Sequence, residues 1–207
     1  MSVHVKICGI TTVADARLAV QAGADLIGLN FYPPSPRYVS ESTAKVIRSI
    51  LPQHVRCVGV FVNAEREHID AYVRALSLDA IQFHGDEDAA VLTDWPVATI
   101  KAVRIGSETF LPDQLEGIQA DYLLLDTYSS RGYGGTGETF AWEQAATLPR
   151  LALDRTILAG GLNAENVATA VEAVRPWAVD VASGVESAPG RKDAEKLYAF
   201  INNAKTS

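Results

Sequence analysis

Residues 3–30 contain the unit that decides the fold, and they read VHVKICGITTVADARLAVQAGADLIGLN. The apolar run Val3–Ile7 is typical of a short buried strand, whereas Thr12–Ala22 carries apolar residues three or four positions apart, as a helix does. Thr12 is a favourable residue before a helix, and Gly23 suits the left-handed position that closes one. A second apolar run follows at Leu26–Asn30. The stretch therefore predicts a strand, a helix and a second strand.

The same alternation continues along the rest of the chain. Six further runs of strand type lie at Val55–Val62, Ala80–Phe83, Ala98–Val103, Tyr122–Asp126, Thr156–Ala159 and Ala178–Ala182. Segments of helical period lie at Ser40–Leu51, Ala64–Leu76, Asp86–Asp94, Asn163–Val174 and Arg191–Asn203, with Ser40 and Asn163 as further candidate helix starts. Most strand runs are continuously apolar, which is typical of parallel strands covered on both faces. The sequence therefore predicts eight parallel strands joined by right-handed helical crossovers.

Eight such units are compatible with an open doubly wound sheet or with a closed barrel. An open sheet has edge strands, which are usually polar or alternating, and none of the eight runs has that character. We therefore predict an α/β fold of the (β/α)8 TIM barrel type. At about 26 residues per unit, the eight units use all 207 residues, so we expect residues 1–207 to form a single catalytic barrel domain. Chemistry in this fold lies where strands end and the next loops begin.

The composition limits the class of partner. A hydrophobic fraction of 48% with 21% charged residues is typical of a globular domain and unlike a disordered chain. Lys+Arg 18 against Asp+Glu 25 gives a formal net charge of −7, which argues against a nucleic-acid or anionic-membrane surface, because both need a positive patch. No run approaches the roughly 20 apolar residues that cross a bilayer, and the first residues lack the apolar core of a signal peptide. We expect a cytoplasmic protein with a small-molecule partner.

The two cysteines, Cys8 and Cys57, belong to no CxxC pair and to no cluster with zinc-ligand spacing. We therefore expect a reducing compartment, no disulfide and no metal site. Cys57 lies in the middle of a predicted strand, where a cysteine is usually a small buried hydrophobic residue. Cys8 ends the first strand before Gly9, so its sulfur is expected to point into the barrel mouth. A buried structural role is open to Cys8 too, but its position favours a thiolate that removes a proton or attacks an electrophile.

Two further side chains stand at strand ends. Asp126 follows three consecutive leucines in the sixth strand, and a buried carboxyl there is either a general acid or a cap for the following loop. With Cys8 it forms a candidate acid and base pair across the barrel. His84 ends the fourth strand, where it either positions the substrate or is a hydrogen-bonded structural residue. The histidines are too dispersed to predict a metal site.

Candidate anion-binding residues follow three of the strands. Arg37, in a proline-rich loop after the second strand, either grips a carboxylate in bidentate fashion or is a surface residue. Gly160 and Gly161 follow the seventh strand, and Ser183 and Gly184 follow the eighth. Loops at these two positions form the usual phosphate site of TIM barrels, and glycine lets backbone N–H groups approach a phosphate closely. The two turns together predict a phosphate site.

The segment 132–137 reads GYGGTG and matches the dinucleotide-binding pattern GxGxxG. Its context is wrong, because the glycines come several residues after the strand ends and no helix opens directly on Gly137. We interpret residues 129–140 instead as a mobile loop that closes over bound substrate.

Taken together, the motifs form a recognisable series. They are KICG at 6–9, GLNF at 28–31 with SPR at 35–37, GVFVN at 59–63, QFHG at 82–85, LD at 125–126, GGL at 160–162, DVASGVE at 180–186 and PGRKD at 189–193. The series resembles the phosphoribosylanthranilate isomerase family over nearly the whole chain and in the same order. One departure is Phe83, where the family usually has leucine, and this apolar exchange leaves the interpretation of the site unchanged.

The resemblance implies an Amadori rearrangement of N-(5-phosphoribosyl)anthranilate to 1-(2-carboxyphenylamino)-1-deoxyribulose 5-phosphate, a step of tryptophan biosynthesis. It implies Asp126 as general acid, Cys8 as general base, Arg37 on the anthranilate carboxylate and the two glycine turns on the phosphate. No cofactor or metal is implied, because the protonated Schiff base of the substrate is itself the electron sink. The alternatives are another phosphosugar isomerase or epimerase barrel, and a non-catalytic barrel that binds a phosphate ligand. The choice between monomer and homodimer stays open.

Overall fold

The computed structural model describes residues 3–105, 117–127 and 150–207, together with the single positions 115, 145, 146 and 148. Eight parallel strands form a closed barrel in sequence order, and the last strand pairs with the first. They are β1 His4–Cys8, β2 Leu26–Asn30, β3 Arg56–Phe61, β4 Ala80–Phe83, β5 Ala98–Ile105, β6 Tyr122–Thr127, β7 Thr156–Leu158 and β8 Ala178–Val181. The predicted TIM barrel is confirmed.

Helices connect the strands on the outside of the barrel. The described ones are α1 Val13–Ala22, α2 Glu41–Ile50, α3 Arg66–Leu76, α4 Arg150–Leu153, α5 Val167–Val174 and α6 Ala194–Lys205. The side chains of Thr12 and Ser40 accept hydrogen bonds from backbone N–H groups in the first turns of α1 and α2, and Gly23 closes α1 with φ +99°. These predicted helix ends are therefore confirmed.

The prediction of an α-helix over Asp86–Asp94 is wrong, because only a 3₁₀ turn, Ala89–Leu92, forms there. The N–H of Asp86 donates to the side chain of Asn63 at 2.8 Å, and the N–H of Gly85 donates to the Glu87 carboxylate at 2.9 Å. Side chains thus bind the backbone groups at the start of the segment and favour an irregular turn over a helix.

Two predicted helix starts are displaced. Asn163 accepts hydrogen bonds from the N–H groups of Glu165 and Asn166, which closes a turn, and α5 begins only at Val167. The segment predicted as the start of the last helix, Arg191–Lys192, is strand β10 and pairs antiparallel with β9, Glu186–Ala188. The last helix begins after Asp193, whose carboxylate accepts the N–H of Lys196 at 3.1 Å.

Two apolar layers hold the barrel together. The outer layer lies between strands and helices and includes Ile7, Ile27, Ile47, Ile69 and Phe200. The inner layer fills the barrel and consists of Leu26, Val58, Ala80, Ile100, Ala102, Leu124, Ile157, Ala159 and Ala178. Because successive side chains point to opposite faces of a strand, both layers need apolar residues, which explains the continuous apolar runs.

Buried polar side chains interrupt the apolar filling of the barrel: Lys6, Gln82, Asp126 and Asp180. All four belong to barrel strands, and these strands lead to the end at which the loops of a TIM barrel carry the chemistry. Within the described part of the chain, no helix is both long and apolar enough to cross a bilayer.

Candidate active site

The parallel barrel brings the carboxyl ends of its strands to one face. Cys8 is the last residue of β1, Asp126 lies one residue before the end of β6, and His84 follows β4 directly. The fold therefore collects the predicted base, acid and positioning residue at a single mouth.

Cys8 lies above a buried ion pair. Lys6, two residues earlier on the same face of β1, is completely buried and donates to Asp180 Oδ1 at 2.8 Å. Its positive charge also acts on the Cys8 thiol and lowers the pKa of that thiol. Gly28 of β2 lies directly beside them, and a Cβ there would be 2.9 Å from Cys8 Sγ and 3.1 Å from Lys6 Nζ. The lack of a side chain at Gly28 thus makes room for both groups.

The charges around Cys8 oppose each other. Burial raises the pKa of the Cys8 thiol, and the ammonium groups of Lys6 and Lys192 lower it only in part, while the Asp180 carboxylate adds to the rise. Burial lowers the pKa of Lys6, but Asp180 and Cys8 outweigh burial, so the net pKa is raised. At neutral pH the resting site therefore holds a protonated thiol beside a charged ammonium group.

Asp126 is buried and is contacted by His84, whose Nε2 lies 3.3 Å from Asp126 Oδ2. The other ring nitrogen of His84, Nδ1, lies 2.8 Å from the side-chain nitrogen of Gln82. An amide nitrogen can only donate, so Nδ1 accepts and the proton of a neutral ring lies on Nε2, facing Asp126. Gln82 thereby fixes the tautomer in which His84 donates to the predicted acid.

Arg37 meets a carboxylate of the protein itself. Its Nε and Nη2 donate to the two oxygens of Glu186 at 2.9 and 2.7 Å. Its stem packs against Gly9, so that a Cβ at Gly9 would be 2.5 Å from Arg37 Cδ, and this places the guanidinium beside the Cys8 strand end. Glu186 occupies one bidentate edge, and one N–H each of Nη1 and Nη2 form the other. The predicted contact of Arg37 with a substrate carboxylate would therefore use that second edge.

Lys192 ties the ends of the first and last strands together. It donates to the carbonyl oxygens of Cys8 at 2.7 Å and Ala182 at 3.1 Å, and to Glu186 at 3.0 Å. Burial raises the pKa of Glu186, but Arg37 and Lys192 outweigh burial and hold that pKa below its ordinary value. Burial also lowers the pKa of Lys192, which Glu186 offsets only in part. These contacts fix Cys8 relative to the last strand.

The two glycine turns predicted to bind phosphate are in contact. Gly160 and Gly161 have φ values of +82° and +67°, which suit glycine. A Cβ on Gly184 would overlap the carbonyl oxygen of Leu162, so the turn after β8 lies directly against the turn after β7. Ser183 begins the 3₁₀ turn Ser183–Val185 at this contact. The structure therefore brings the two turns of the predicted phosphate site together through Gly184 and Leu162.

Four charged residues of the site lie within the quoted motifs, but we assigned them no role from the sequence: Lys6, Asp180, Glu186 and Lys192. Lys6 and Asp180 each interrupt an apolar strand run, and a charge inside a buried strand is a usable signal. Glu186 and Lys192 follow the last barrel strand in an ordinary polar segment, where nothing local distinguishes them from solvent-exposed residues.

Three other predictions concern residues outside this cluster. Cys57 is fully buried, as predicted, and burial raises the pKa of its thiol to about 12. Among the described residues, no three His, Cys, Asp or Glu side chains are grouped so as to hold a metal ion. The GxGxxG segment 132–137 and the predicted closing loop 129–140 lie outside the described residues.

Comparison with known proteins gives one family. The model of the family N-(5'phosphoribosyl)anthranilate (PRA) isomerase matches residues 5–203. N-(5'-phosphoribosyl)anthranilate isomerase of Trichlorobacter lovleyi is 47% identical over 203 residues, which cover 98% of this chain and 98% of that protein. The enzyme of the same name from Thiobacillus denitrificans is 47% identical over 208 residues and covers the whole of both chains.

Among solved structures, phosphoribosyl anthranilate isomerase of Thermotoga maritima superposes with a TM-score of 0.87 at 42% identity, covering 99% of this chain and 100% of that one.

Proposed function

The chain belongs to the N-(5'-phosphoribosyl)anthranilate isomerase family, and on that premise we propose that Cys8 and Asp126 carry out the proton transfers of the isomerase reaction. The reaction is the Amadori rearrangement of N-(5-phosphoribosyl)anthranilate to 1-(2-carboxyphenylamino)-1-deoxyribulose 5-phosphate in tryptophan biosynthesis. The observation that carries the residue assignment is the position of the thiol and the carboxyl group at the same end of one closed barrel.

Asp126 acts first, as the general acid. It gives its proton to the ribose ring oxygen while the bond from that oxygen to C1′ breaks, and the anthranilate nitrogen lone pair forms the C=N bond of a Schiff base. His84, held by Gln82 in the tautomer with a proton on Nε2, orients the carboxyl group of Asp126.

Cys8 acts second, as the general base. Its thiolate takes the proton from C2′, and the electron pair of that C–H bond forms the C1′=C2′ double bond while the C=N electrons return to nitrogen. The resulting enolamine tautomerises to the ketone. Each such proton transfer typically contributes about 10²–10⁴-fold to the rate. The cationic nitrogen of the substrate accepts the electrons, so the residues need only supply and remove protons.

Two groups of the protein bind the ends of the substrate in this proposal. The second edge of Arg37 binds the anthranilate carboxylate, because a guanidinium pairs with a carboxylate through two parallel N–H donors. The backbone of Gly160, Gly161, Ser183 and Gly184 binds the phosphate.

A known complex supports a ligand of this kind. A phosphoribosyl anthranilate isomerase, 39% identical to this chain with a TM-score of 0.83, was solved with reduced 1-(o-carboxyphenylamino)-1-deoxyribulose 5-phosphate, and the match covers 99% of this chain and 100% of that one. That ligand carries both a carboxylate and a phosphate. The cytoplasmic location stays a prediction, and the choice between monomer and homodimer stays open.

Complementation tests the function in a bacterium that lacks this isomerase. We expect the chain to restore growth without tryptophan, the Cys57→Ala variant to do the same, and a Cys8→Ala, Asp126→Asn double variant to fail while still accumulating as folded protein. Absence of growth with the soluble unmodified chain contradicts the proposed function. Growth with the double variant contradicts the residue roles alone.

A further inference from the structure

Lys6 is an unusual residue for the inside of a barrel. It is completely buried, and a buried charge is costly unless paired. Its ammonium group donates to Asp180, its register neighbour on β8, and lies beside the sulfur of Cys8 on its own strand.

Resting on the proposed function of Cys8 as the base, we propose that Lys6 is a positioning residue whose ammonium group, held in place by Asp180, stabilises the thiolate form of Cys8. The thiol proton leaves to solvent, which the partly exposed Cys8 reaches. The C2′ proton of the substrate then restores the thiol. Lys6 itself keeps its protons throughout the cycle.

The other cation near Cys8 is already committed to different partners. Lys192, on β10, has three N–H groups, and they donate to Glu186 and to the carbonyl oxygens of Cys8 and Ala182. Arg37 is held by Glu186. Lys6, by contrast, lies next to the sulfur, since its Nζ and Cys8 Sγ approach the same position beside Gly28.

The approach of Lys6 to Cys8 requires that Gly28 has no side chain. The ideal Cβ position at Gly28 lies 2.9 Å from Cys8 Sγ and 3.1 Å from Lys6 Nζ, so sulfur and nitrogen both reach the space that a side chain would fill. Asp180 approaches the same ammonium group from β8, and its negative charge opposes ionisation of Cys8. The two charged neighbours therefore act on Cys8 in opposite directions.

Because Lys6 and Asp180 act on Cys8 in opposite directions, removing either charge should change the reactivity of Cys8 in opposite directions. The rate of Cys8 alkylation by iodoacetamide is measured against pH in the unmodified enzyme and in the Lys6→Met and Asp180→Asn variants, with the labelled site mapped by mass spectrometry. At pH 7 we expect alkylation about tenfold slower in Lys6→Met, because the thiolate loses its cation, and about threefold faster in Asp180→Asn, because the opposing anion is gone. Cys57, buried and with its thiol pKa at about 12, is the internal control that stays unlabelled.

Turnover supplies the second readout. In Lys6→Met we expect kcat to fall about tenfold or more at pH 7 with KM little changed, and to recover in part at higher pH as the thiolate forms. Circular dichroism and the urea midpoint verify folding, and Asp180→Asn, which keeps the shape of the side chain, serves if Lys6→Met does not fold.

Different results would overturn the role of Lys6 and the role of Cys8 as the base. An unshifted alkylation profile in folded Lys6→Met, or slower alkylation in Asp180→Asn, overturns the role of Lys6 while the isomerase function stands. Normal turnover of Cys8→Ala instead overturns the base role, and with it the premise of the proposal.

Discussion

Cys8 and Asp126 must meet opposite requirements, because a base has to lose its proton before it acts and an acid has to hold one. Burial favours the protonated thiol of Cys8, and cations at the sulfur counter burial. Asp126 is buried against His84, whose Nε2 proton is directed at it by Gln82. The surroundings of Cys8 therefore include Lys6 of its own strand, whereas Asp126 is contacted from the end of the fourth strand.

Removing either group tests its role. We expect Cys8→Ala and Asp126→Asn each to lower kcat by about a hundredfold or more, because a lost proton transfer typically costs 10²–10⁴-fold, with a small effect on KM. Steady-state kinetics of the purified variants measures this. Cys57→Ala is the matched control, since Cys57 is a buried thiol of the outer layer, and should keep its kcat. Normal turnover in both site variants would contradict the assignment.

The helix starts that could be predicted are those set by a capping side chain next to the helix in sequence. Thr12 and Ser40 cap α1 and α2, because each side-chain hydroxyl accepts a hydrogen bond from the backbone N–H three residues later in the chain. Asp86–Asp94 has helical period but is held as a turn by Asn63, more than twenty residues earlier, and by Glu87. A partner that distant leaves no trace in the periodicity of the segment itself.

The contribution of a capping side chain can be measured at Ser40. Its hydroxyl accepts the N–H of Thr43, whereas Glu65 stands at the start of α3 without a capping hydrogen bond from its side chain. Ser40→Ala should lower the free energy of unfolding by about 1 kcal/mol, and Glu65→Ala should change it much less. Urea denaturation of both variants makes the comparison. Equal losses would show that the hydroxyl bond contributes nothing.

The contact between the two turns proposed to bind phosphate can be tested at Gly184. Because a Cβ there meets the backbone carbonyl of Leu162, Gly184→Ala should force the turns apart. We expect KM for the phosphorylated substrate to rise about tenfold or more, with a smaller fall in kcat, since binding energy of the phosphate is lost. Ser187→Ala, at an exposed position in β9, is the control. An unchanged KM in folded Gly184→Ala would exclude these turns as the phosphate site.

Local and distant causes likewise distinguish the parts of the site that could be predicted from those that could not. The positions of Cys8 and Asp126 at the barrel mouth were predictable because a polar residue at the end of an apolar strand run has a defined place in a barrel. The bond between Arg37 and Glu186 was not, because it joins residues 149 positions apart. The charge state of Cys8 was equally hidden, since it depends on which way Lys6, Asp180 and Lys192 point.

At the scale of the whole molecule, the segment after the last barrel strand completes the site. Lys192 reaches back to the end of β1, Thr11 donates to the carbonyl of Gly190 at 2.6 Å, and Lys205 pairs with Asp25. The net charge of −7 also hides a local concentration of Lys6, Arg37 and Lys192 at the mouth. An acidic chain can therefore receive a substrate that bears a phosphate and a carboxylate.

Glu186 connects these cations to the stability of the molecule. Burial works against its ionisation, but Arg37 and Lys192 lower its pKa below the ordinary value of 4.5. A carboxyl group whose pKa is lower in the folded state stabilises the fold above its unfolded pKa and loses that contribution as the pH falls through the folded one. The stabilisation from Glu186 should therefore be complete at pH 7 and disappear in the acid range below 4.5.

Glu186→Gln tests this at the scale of the whole fold. The variant leaves Arg37 and Lys192 without their shared carboxylate, and breaking a buried pair typically costs about 3–5 kcal/mol. We expect a loss of that order in the unfolding free energy at pH 7 and a smaller difference from the unmodified enzyme at pH 3, measured by urea denaturation. Glu172→Gln, on the exposed face of α5, should stay within about 0.5 kcal/mol at both pH values. A deficit in Glu186→Gln that is equally large at pH 3 would contradict the electrostatic cause, because the contribution of an ionised Glu186 falls once the pH is below the pKa of its unfolded form.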